Sequence, residues 1–515
     1  MTVEADRPIR GIARGGVLNL AGAILGQAAT FGVLLLIARF LDLPQVGRYA
    51  QAYATLALLG LLALSGFRAG VTRFVAVHLA DDDPAAVRGT VRLAVGVSGS
   101  AAALLGVALA AAAPWLADRL HDPALTGGLR LMALALPAMT VTEAALAATR
   151  GWRSQRAFTL IGQVYEPACR LLLTAVLLVA GAGLAGAFWA IVVAGWSAAA
   201  LALLALRRRL RALAVLLPTP GPPDGAEYQK TGSTKRTYQP RQLFSFSTVS
   251  WVSSLSSTGL IWLDTLLLGF FASPDIGVYN VATRLVMVAV FVLAPLNAAF
   301  GPYLAHLHHQ GRMDEVRGSY QAVTGWVVRL SLPAFAVLLA FPGELLRLFG
   351  GEFATGAAVT VILAVGQLVN AATGPCGTVL NMSGRVALNM WDNLAALVLN
   401  VLLNLWLIPA YGIVGAAVAW AVSLAVVNTA RVLQVRALTG ALPVSAGMLR
   451  GLVAGAAALA AGLGAAAILP GGFGTLVAGL AVIVVVYGGV VLALGLSRQD
   501  RMVLRALLRR PAAAG

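Results

Sequence analysis

Apolar stretches of bilayer-spanning length recur along nearly the whole chain. The hydrocarbon core of a membrane is about 30 Å thick, so a helix crosses it with about 20 largely apolar residues. Hydropathy predicts such spans at 17–41, 47–66, 93–113, 129–149, 158–181, 184–206, 243–271, 277–304, 319–341, 357–383, 386–408, 412–437, 447–469 and 472–496. The sequence therefore predicts an all-α, polytopic membrane protein with about fourteen transmembrane helices.

The composition argues against a soluble domain. Of 515 residues, 59% are hydrophobic and 11% are charged, whereas soluble domains carry about 25% charged residues. Cys169 and Cys376 both fall inside predicted spans, so we expect neither a disulfide framework nor a paired-cysteine metal site. The pattern Gly181-Ala-Gly-Leu-Ala-Gly186 lies in a turn between two spans, where a dinucleotide-binding loop would need a strand before it. No cofactor and no metal are predicted.

The distribution of basic residues predicts the orientation of the chain. A formal net charge of +17 could indicate a nucleic-acid-binding protein. Most of the 37 Lys and Arg residues, however, lie in every second loop counted from the N-terminus. Because cytoplasmic loops carry the excess of Lys and Arg, we predict that both termini are cytoplasmic and that no nucleic acid is bound. The excess of Arg over Lys, with abundant Ala and Gly, favours a bacterial cell (inner) membrane.

An internal repeat relates two halves of the chain. The pattern Phe40-x3-Pro44-x-Val46-Gly47-x-Tyr49-x2-Ala52 returns as Phe270-x3-Pro274-x-Ile276-Gly277-x-Tyr279-x2-Ala282. Two shorter patterns, Pro114-x4-Arg119-Leu120 and Gly183-x2-Gly186-Ala187, return from Pro342 and Gly412 at nearly the same offset. This offset covers six predicted spans, an even number, so both copies enter the membrane in the same direction and form a parallel repeat.

The repeat predicts two six-helix lobes followed by two extra C-terminal helices. We assign 1–16 to a cytoplasmic N-terminus, 17–206 to an N-lobe, 207–242 to a cytoplasmic linker, 243–437 to a C-lobe, 438–496 to helices 13 and 14, and 497–515 to a cytoplasmic tail. The linker contains the run Pro218-Thr-Pro-Gly-Pro-Pro-Asp-Gly225, a composition typical of flexible tethers. We expect the two lobes to rock against each other.

Hydroxyl side chains follow one side of the seventh span. Ser247, Ser250, Ser254 and Ser257 recur at helical spacing. They predict a sugar-facing or water-facing wall, in which Ser250 and Ser254 are the cavity candidates. Small residues also permit close helix packing and bond to their own backbone, and the sequence leaves both interpretations open.

Ionisable residues inside the spans are candidates for function, because a charge in the bilayer is expensive and usually faces a cavity or a partner. These residues are Arg39, Glu143, Glu166, Arg170, Asp264, Arg284, Arg329 and Asp392. Glu166 and Arg170 are four residues apart, which favours a self-neutralised pair on one helix face. Arg39, near the outer end of the first span, has the alternative of reaching the lipid headgroups.

Two further groups of charges have predicted roles. Asp264 and Arg284 lie at similar predicted depth on consecutive spans, so a pair between them is expected. Arg284 is the stronger candidate for substrate binding, because a guanidinium binds phosphate through two parallel hydrogen bonds and stays charged in a low dielectric. Glu143, Glu166, Arg170 and Asp392 are candidates for structural ion pairs or for coupling to H⁺ or Na⁺.

Four patterns at helix ends and turns carry a resemblance to a known family. They are Pro274-Asp-Ile-Gly-Val-Tyr-Asn-Val-Ala-Thr-Arg284, Pro342-Gly-Glu-Leu-Leu-Arg-Leu-Phe-Gly-Gly-Glu-Phe353, Asn381-Met-Ser-Gly-Arg385 and Tyr411-Gly-Ile-Val-Gly-Ala416. With them the chain resembles, over nearly its whole length, the Wzx-type polysaccharide flippases of the multidrug/oligosaccharidyl-lipid/polysaccharide exporter superfamily. Relatives in that superfamily include the lipid II flippases and the multidrug extruders.

The resemblance implies two six-helix lobes around a central cavity, alternating access, and export of a polyprenyl-diphosphate-linked oligosaccharide to the outer leaflet among membrane lipids. In the cationic-cavity members of the family, arginines from the first two helices of each lobe meet the lipid diphosphate. Arg284 occupies such a position in the second lobe. The aligned residue of the first lobe is Ala54, which leaves Arg39 and Arg48 as substitutes.

Two other functions compete with the flippase expectation. A cation-exporting multidrug antiporter would place acids in its cavity, and Glu143, Glu166 and Asp392 keep that alternative open. The other alternative is a membrane polysaccharide polymerase or ligase. Such enzymes resemble one another in carrying catalytic residues on sizeable outer loops. The longest outer loops predicted here, 114–128 and 342–356, are short and repeat-related. We therefore expect a transporter without enzymatic activity that serves surface polysaccharide biosynthesis.

Overall fold

A computed structural model describes residues 6–152, 154–215, 240–290, 300–301, 303–304 and 306–494. Within these ranges the regular structure is helical and contains no β-strand, so the predicted all-α class is confirmed. Most of the predicted linker, at 216–239, and the predicted tail, 497–515, lie outside the described residues.

The described helices account for the predicted spans. Twelve of them are long and apolar enough to cross a membrane. One of the twelve, Val386–Thr439, covers two predicted spans, 386–408 and 412–437. A shorter apolar helix, Ile276–Ala289, begins the predicted span 277–304, part of which lies outside the described residues. Counted this way, the prediction of about fourteen transmembrane helices in a multi-pass membrane protein is confirmed.

The helices fall into two compact units, Met1–Ala272 and Ser273–Gly515. Unit 1 contains α1 (Asp6–Phe40), α2 (Leu43–Leu64), α3 (Phe67–Ala80), α4 (Pro84–Arg119), α5 (Leu125–Arg150), a π-helix (Phe158–Tyr165) that runs directly into α6 (Glu166–Val179), α7 (Gly183–Val215) and α8 (Pro240–Phe270).

Unit 2 contains the remaining described helices. They are α9 (Ile276–Ala289), α10 (Met313–Ala340), α11 (Pro342–Arg347), a 3-10 helix (Gly351–Gly356), α12 (Ala357–Thr373), α13 (Cys376–Met382), α14 (Val386–Thr439), α15 (Ala446–Ile468) and α16 (Phe473–Ala493). Gly412 breaks the helical path of α14 with φ 52° and ψ −130°, a conformation that favours glycine.

The boundary between the units differs from the predicted boundary between the lobes. The repeat assigns α8 to the start of the C-lobe, whereas α8 packs against α2 and α3 and belongs to unit 1 by its contacts. A sequence repeat shows which helices are similar in sequence, whereas a compact unit shows which helices pack together. The predicted lobes, 17–206 and 243–437, therefore stay predictions.

Residues 67–80, which lie between the predicted spans 47–66 and 93–113, form a helix. The chain turns sharply after α2, because Ser65 and Gly66 both adopt left-handed conformations, with φ of 47° and 73°. α3 then presents Phe67, Val71 and Val75 at a spacing of four residues, and all three are fully buried in a core shared with α4, α5 and α7. Hydropathy predicted no span here, because this apolar stripe is too short to register as one.

Capping residues set where several helices begin. The Asp42 side chain accepts a hydrogen bond from the Gln45 backbone amide (2.9 Å) at the start of α2. Asp83 does the same for the Ala86 amide (2.9 Å) at the start of α4, which opens on Pro84. These are common N-terminal signals, since the cap accepts from an amide that has no partner within the helix.

The two C-terminal helices pack against α10 within unit 2. The Tyr487 hydroxyl on α16 donates to the Arg329 carbonyl on α10 (2.7 Å). Phe341, which follows α10, is fully buried in a cluster with Leu476 and Ile483 of α16. α15 and α16 are therefore integral to the core of this unit.

Candidate functional site

Unit 1 contains a cavity of about 550 Å³ that is lined by both polar and apolar residues. The C-terminal ends of α2 and α5, the first turns of α3 and the middle of α8 form its walls. Its lining residues are Leu61, Leu64, Gly66, Arg68, Ala69, Thr72, Arg73, Arg150, Ser250, Trp251, Ser254, Ser257 and Thr258. Under the predicted topology, all of these helix ends lie on the cytoplasmic side.

The charged residues that line this cavity are all arginines: Arg68, Arg73 and Arg150. Arg68 Nε lies 3.6 Å from Glu143 Oε2, and both side chains remain partly exposed. The Arg150 guanidinium lies over the Phe158 ring at 4.5 Å from its centroid. Its Nε atom is buried and has no hydrogen-bond partner among the described residues. The charged groups that line the cavity are therefore cationic hydrogen-bond donors.

A wall of hydroxyl groups faces these arginines. Ser250, Ser254 and Ser257 line the cavity at helical spacing, together with Thr258. Ser256, on another side of α8, instead donates to the Val252 carbonyl (2.9 Å) and is buried. Ser257 both lines the cavity and donates to the Ser254 carbonyl (3.0 Å), so the two interpretations of the serine-rich helix overlap at this residue.

The elbow between α2 and α3 fixes α8 against the cavity. The Trp251 indole Nε1 donates to the Leu61 carbonyl at 3.1 Å. A Cβ atom on Gly66 would lie 1.9 Å from the Ser247 carbonyl oxygen. The side chain of Ser247 is buried here, although the sequence analysis placed it in the hydroxyl wall. Backbone contact of this kind requires glycine and leaves little freedom in the position of α8.

Glu166 and Arg170 belong to a separate buried cluster of unit 1. Arg170 Nη1 lies 3.6 Å from Glu166 Oε1 and donates to the Tyr53 hydroxyl at 3.2 Å. Its Nη2 donates to Thr30 Oγ1 at 3.4 Å. The cluster joins α1, α2 and α6, and the arginine is 5% exposed.

Three other predicted residues of unit 1 lie apart from the cavity lining. Arg48 Nε donates to Asp122 Oδ2 at 2.6 Å and joins α2 to the turn before α5. Arg39 is exposed in the last turn of α1, where a cation interacts favourably with the helix dipole. Asp264 is buried on α8, with 1% of its surface exposed.

Arg284 lies in unit 2, on α9, and is half-buried. Asp264 and Arg284 thus belong to different compact units, and the pairing between them stays a prediction.

Asp392 lies in a polar cluster at the ends of α14. Its Oδ1 accepts from Gln434 Nε2 at 2.8 Å, and Arg431 Nε lies 3.9 Å from its Oδ2. Arg431 Nη2 also donates to Asn393 Oδ1 at 2.5 Å. Asp392 Oδ2 is buried without a hydrogen-bond partner in the described part of the chain.

The arginines of the cavity were not predicted from the sequence as site residues. Arg68, Arg73 and Arg150 counted only among the basic residues of alternate loops. Their position beside a hydroxyl-rich span was a usable signal, but their convergence depends on α3 folding back along α8. Among the described residues, no three His, Cys, Asp or Glu side chains are placed to hold a metal ion.

Comparison with known families shows to which family the chain belongs. The model of a family described as "Polysaccharide biosynthesis protein" matches residues 12–308, more than half of the chain. The chain belongs to this family. A second family model, MatE, matches residues 250–406 of this polysaccharide biosynthesis protein. The predicted membership of the polysaccharide flippase group of the exporter superfamily is thereby confirmed.

Two curated proteins of the archaeon Haloferax volcanii are similar in sequence. The probable flippase AglR is 32% identical over 219 residues, which cover 40% of this chain and 44% of AglR. The probable low-salt glycan biosynthesis flippase Agl15 is 29% identical over 188 residues, 36% of this chain and 40% of Agl15. Each match therefore spans less than half the length of the curated relative.

Among solved structures, the lipid II flippase MurJ in an inward-closed conformation has a similar fold. The superposition has a TM-score of 0.68 and covers 96% of this chain and 99% of that one. At 10% sequence identity the likeness concerns the fold alone.

Proposed function

We propose that this protein is a flippase that moves a polyprenyl-diphosphate-linked saccharide from the inner to the outer leaflet by alternating access, for cell-envelope polysaccharide biosynthesis. The observation that carries the proposal is the cavity of unit 1. Arginines and hydroxyl groups share a volume of about 550 Å³ among helices that are otherwise largely apolar.

The cavity suits a substrate that is both anionic and rich in hydroxyl groups. A guanidinium in the bilayer is expensive unless it meets a partner or water, and it binds phosphate oxygens in bidentate geometry. Serine and threonine hydroxyls both donate and accept hydrogen bonds, as sugar hydroxyls do. The Haloferax relatives are named as flippases, one of them for glycan biosynthesis, which agrees with this proposal.

We place the protein in the cytoplasmic membrane with both termini in the cytoplasm, as the basic loops predict. It acts as a transporter rather than an enzyme. The sequence relatives named above are archaeal, so the bacterial source expected from composition stays a prediction.

H⁺ or Na⁺ is the proposed coupling ion where transport is driven by a gradient. In unit 1, Arg170 lies beside Glu166 and offsets its charge. In unit 2, Asp392 keeps a buried carboxylate oxygen without a hydrogen-bond partner in the described part of the chain. Arg431 lies beside Asp392 at 3.9 Å, so both acids have an arginine partner, and both stay coupling candidates.

A multidrug extruder is the second candidate, because the MatE model matches residues 250–406. The two functions differ in the charge of the cargo. A cation exporter would present carboxylates to its substrate, whereas the charged residues of the described cavity are arginines.

Flipping of a labelled lipid tests the proposal directly. The purified full chain would be placed in liposomes with a fluorescent polyprenyl-diphosphate monosaccharide, and the outer-leaflet fraction would be measured by quenching. We expect movement above that of protein-free liposomes. Absence of movement, with export of a cationic dye under a proton or sodium gradient, would favour the extruder.

Arg284 is proposed as a substrate-binding residue of unit 2. We expect Arg284→Ala to insert normally and to slow flipping strongly, and Arg284→Lys to recover it only in part, since an ammonium lacks the bidentate fork. The double variant Arg284→Ala with Asp264→Ala is the control. Recovery of flipping in the double variant would show that Arg284 only neutralises Asp264.

A further inference from the structure

The C-terminal end of α7 carries a group of arginines outside the cavity of unit 1. They are Arg207, Arg208, Arg209 and Arg211, and all four are exposed. α7 contains no acidic residue. Within the described part of the chain, none of the four arginines has an ion-pair or hydrogen-bond partner. Their positive charge is therefore available to another molecule.

Leucines fix the opposite side of this helical end to the core of unit 1. Leu206 is buried in the apolar cluster that contains the buried stripe of α3, and Leu210 and Leu213 pack against the same cluster. Because a helix turns by about 100° per residue, the four arginines spread over the side away from these leucines. The end of α7 is therefore amphipathic, and its basic side is the exposed one.

The position along α7 places the arginines at the level of lipid headgroups. Residues 183–206 contain no ionisable side chain, and they rise about 36 Å at about 1.5 Å per residue. The hydrocarbon core of a membrane is about 30 Å thick, and each headgroup layer adds about 5–7 Å. The arginines that follow therefore lie at the depth of phospholipid phosphates, in the leaflet that the predicted topology makes cytoplasmic.

Other arginines at helix ends have carboxylate partners within the protein. Arg312 Nε, at the start of α10, donates to Glu315 Oε1 at 2.6 Å. Arg347 Nη1, at the end of α11, donates to Glu344 Oε1 at 3.0 Å. At the end of α7 no carboxylate of the described chain plays this part. Anionic lipids attract basic residues beside a transmembrane helix, by a factor of about 5 for each arginine near the surface.

We propose that Arg207, Arg208, Arg209 and Arg211 form a binding surface for the headgroups of anionic phospholipids. The guanidinium groups donate to phosphate oxygens, and their summed charge favours lipids with a net negative charge. A zwitterionic lipid offers a phosphate without net charge and binds more weakly. This surface is separate from the cavity of unit 1, so the inference is independent of the proposed cargo.

Local enrichment of lipid beside α7 tests the inference. Ala212, an exposed neighbour of Arg211, would be replaced by cysteine in a background with Cys169 and Cys376 changed to alanine, and labelled with a fluorophore. The purified full chain would be placed in phosphatidylcholine liposomes. These would contain a small fraction of phosphatidylglycerol or of phosphatidylcholine, each with a nitroxide near the top of one acyl chain.

We expect phosphatidylglycerol to quench the fluorophore at a lipid fraction more than about 5-fold lower than phosphatidylcholine requires, because several arginines act together. High salt should reduce this preference by screening. Equal quenching by the two lipids would overturn the inference. If the fluorophore were then also shielded from a water-soluble quencher, a second copy of the chain would be the occupant instead.

Substitutions in the labelled protein show whether the arginines are responsible. Replacement of all four by glutamine is expected to abolish the preference, whereas replacement by lysine should keep most of it, since the attraction is mainly Coulombic. Arg208→Gln alone should lower the preference about 2- to 5-fold. A preference that survives the four glutamines would overturn the inference. The lysine and single variants, together with the wild-type measurement, keep the test decisive if the glutamine variant fails to insert.

Arg312→Gln is the matched control. It also removes one positive charge from a helix end, but that charge is paired with Glu315. We expect the wild-type preference for phosphatidylglycerol at position 212. A loss as large as that of Arg208→Gln would mean that only the net charge of the protein matters, and the binding surface would be abandoned.

Discussion

At Arg170 a single guanidinium contacts side chains from three helices of unit 1. Its partners are Glu166 on its own helix, Tyr53 on α2 and Thr30 on α1. The Tyr53 ring also lies 5.6 Å from the centre of the guanidinium, a favourable cation–π distance. A charge with this many partners in so buried a place acts as a structural clamp, and its removal would leave Glu166 without its ion-pair partner.

We therefore predict that Arg170→Gln lowers the thermal midpoint of the detergent-purified protein. Removing one member of a buried pair costs about 3–5 kcal/mol, and the 24% exposure of Glu166 favours the lower end. The double variant Arg170→Gln with Glu166→Gln should regain part of the loss. Arg39→Gln, at an exposed position, is the control. A double variant less stable than Arg170→Gln would contradict the ion-pair explanation.

At the level of elements, the elbow between α2 and α3 determines the shape of the cavity. Gly66 has φ 73°, and a Cβ there would collide with the Ser247 carbonyl of α8. The elbow turns α3 back so that Arg68 and Arg73 face the serines of α8 instead of continuing the direction of α2. The close backbone contact and the Trp251 hydrogen bond to Leu61 keep α8 in place.

Gly66→Ala should therefore weaken substrate binding and flipping together. The added methyl group must displace α8 or the elbow, because the atom it meets is backbone, and the left-handed conformation is unfavourable for alanine. Gly96→Ala is the matched control, since Gly96 lies on α4 with nothing within 4 Å of the added atom. The comparison uses the fluorescent-lipid assays. Wild-type flipping by Gly66→Ala would show that the elbow is not required.

For the whole molecule, the membrane orientation is the property on which the site assignment depends. The arginine-lined cavity of unit 1 is on the cytoplasmic side only if α2 and α5 end there and α8 begins there. The basic loops predict this orientation through the positive-inside rule.

Single cysteines test that orientation in a background with Cys169 and Cys376 replaced by alanine. Gly225→Cys and Gly515→Cys should react with a membrane-impermeant maleimide only in inverted vesicles, and Pro274→Cys should react in intact cells. Labelling of position 225 from outside would reverse the topology and place the cavity of unit 1 on the wrong side for a cytoplasmic substrate.

The sequence by itself determined the class of the molecule, because hydropathy is a local property. A run of about 20 apolar residues has few alternatives to a transmembrane helix, and the span count followed from such runs. Local patterns also identified Glu166 with Arg170 and the serines of α8, since one helical turn brings residues four apart to the same face.

Only the tertiary structure decided how these parts combine. Arg68 meets Glu143, and Trp251 meets Leu61, although each pair is far apart in the chain. Such contacts depend on which helix faces pack together, and no local periodicity records that choice. The elbow at Ser65 and Gly66 likewise escaped the sequence analysis, because α3 is too short to register as a span and its conformation is stabilised by distant residues of α4, α5 and α8. The cavity exists because of that long-range packing.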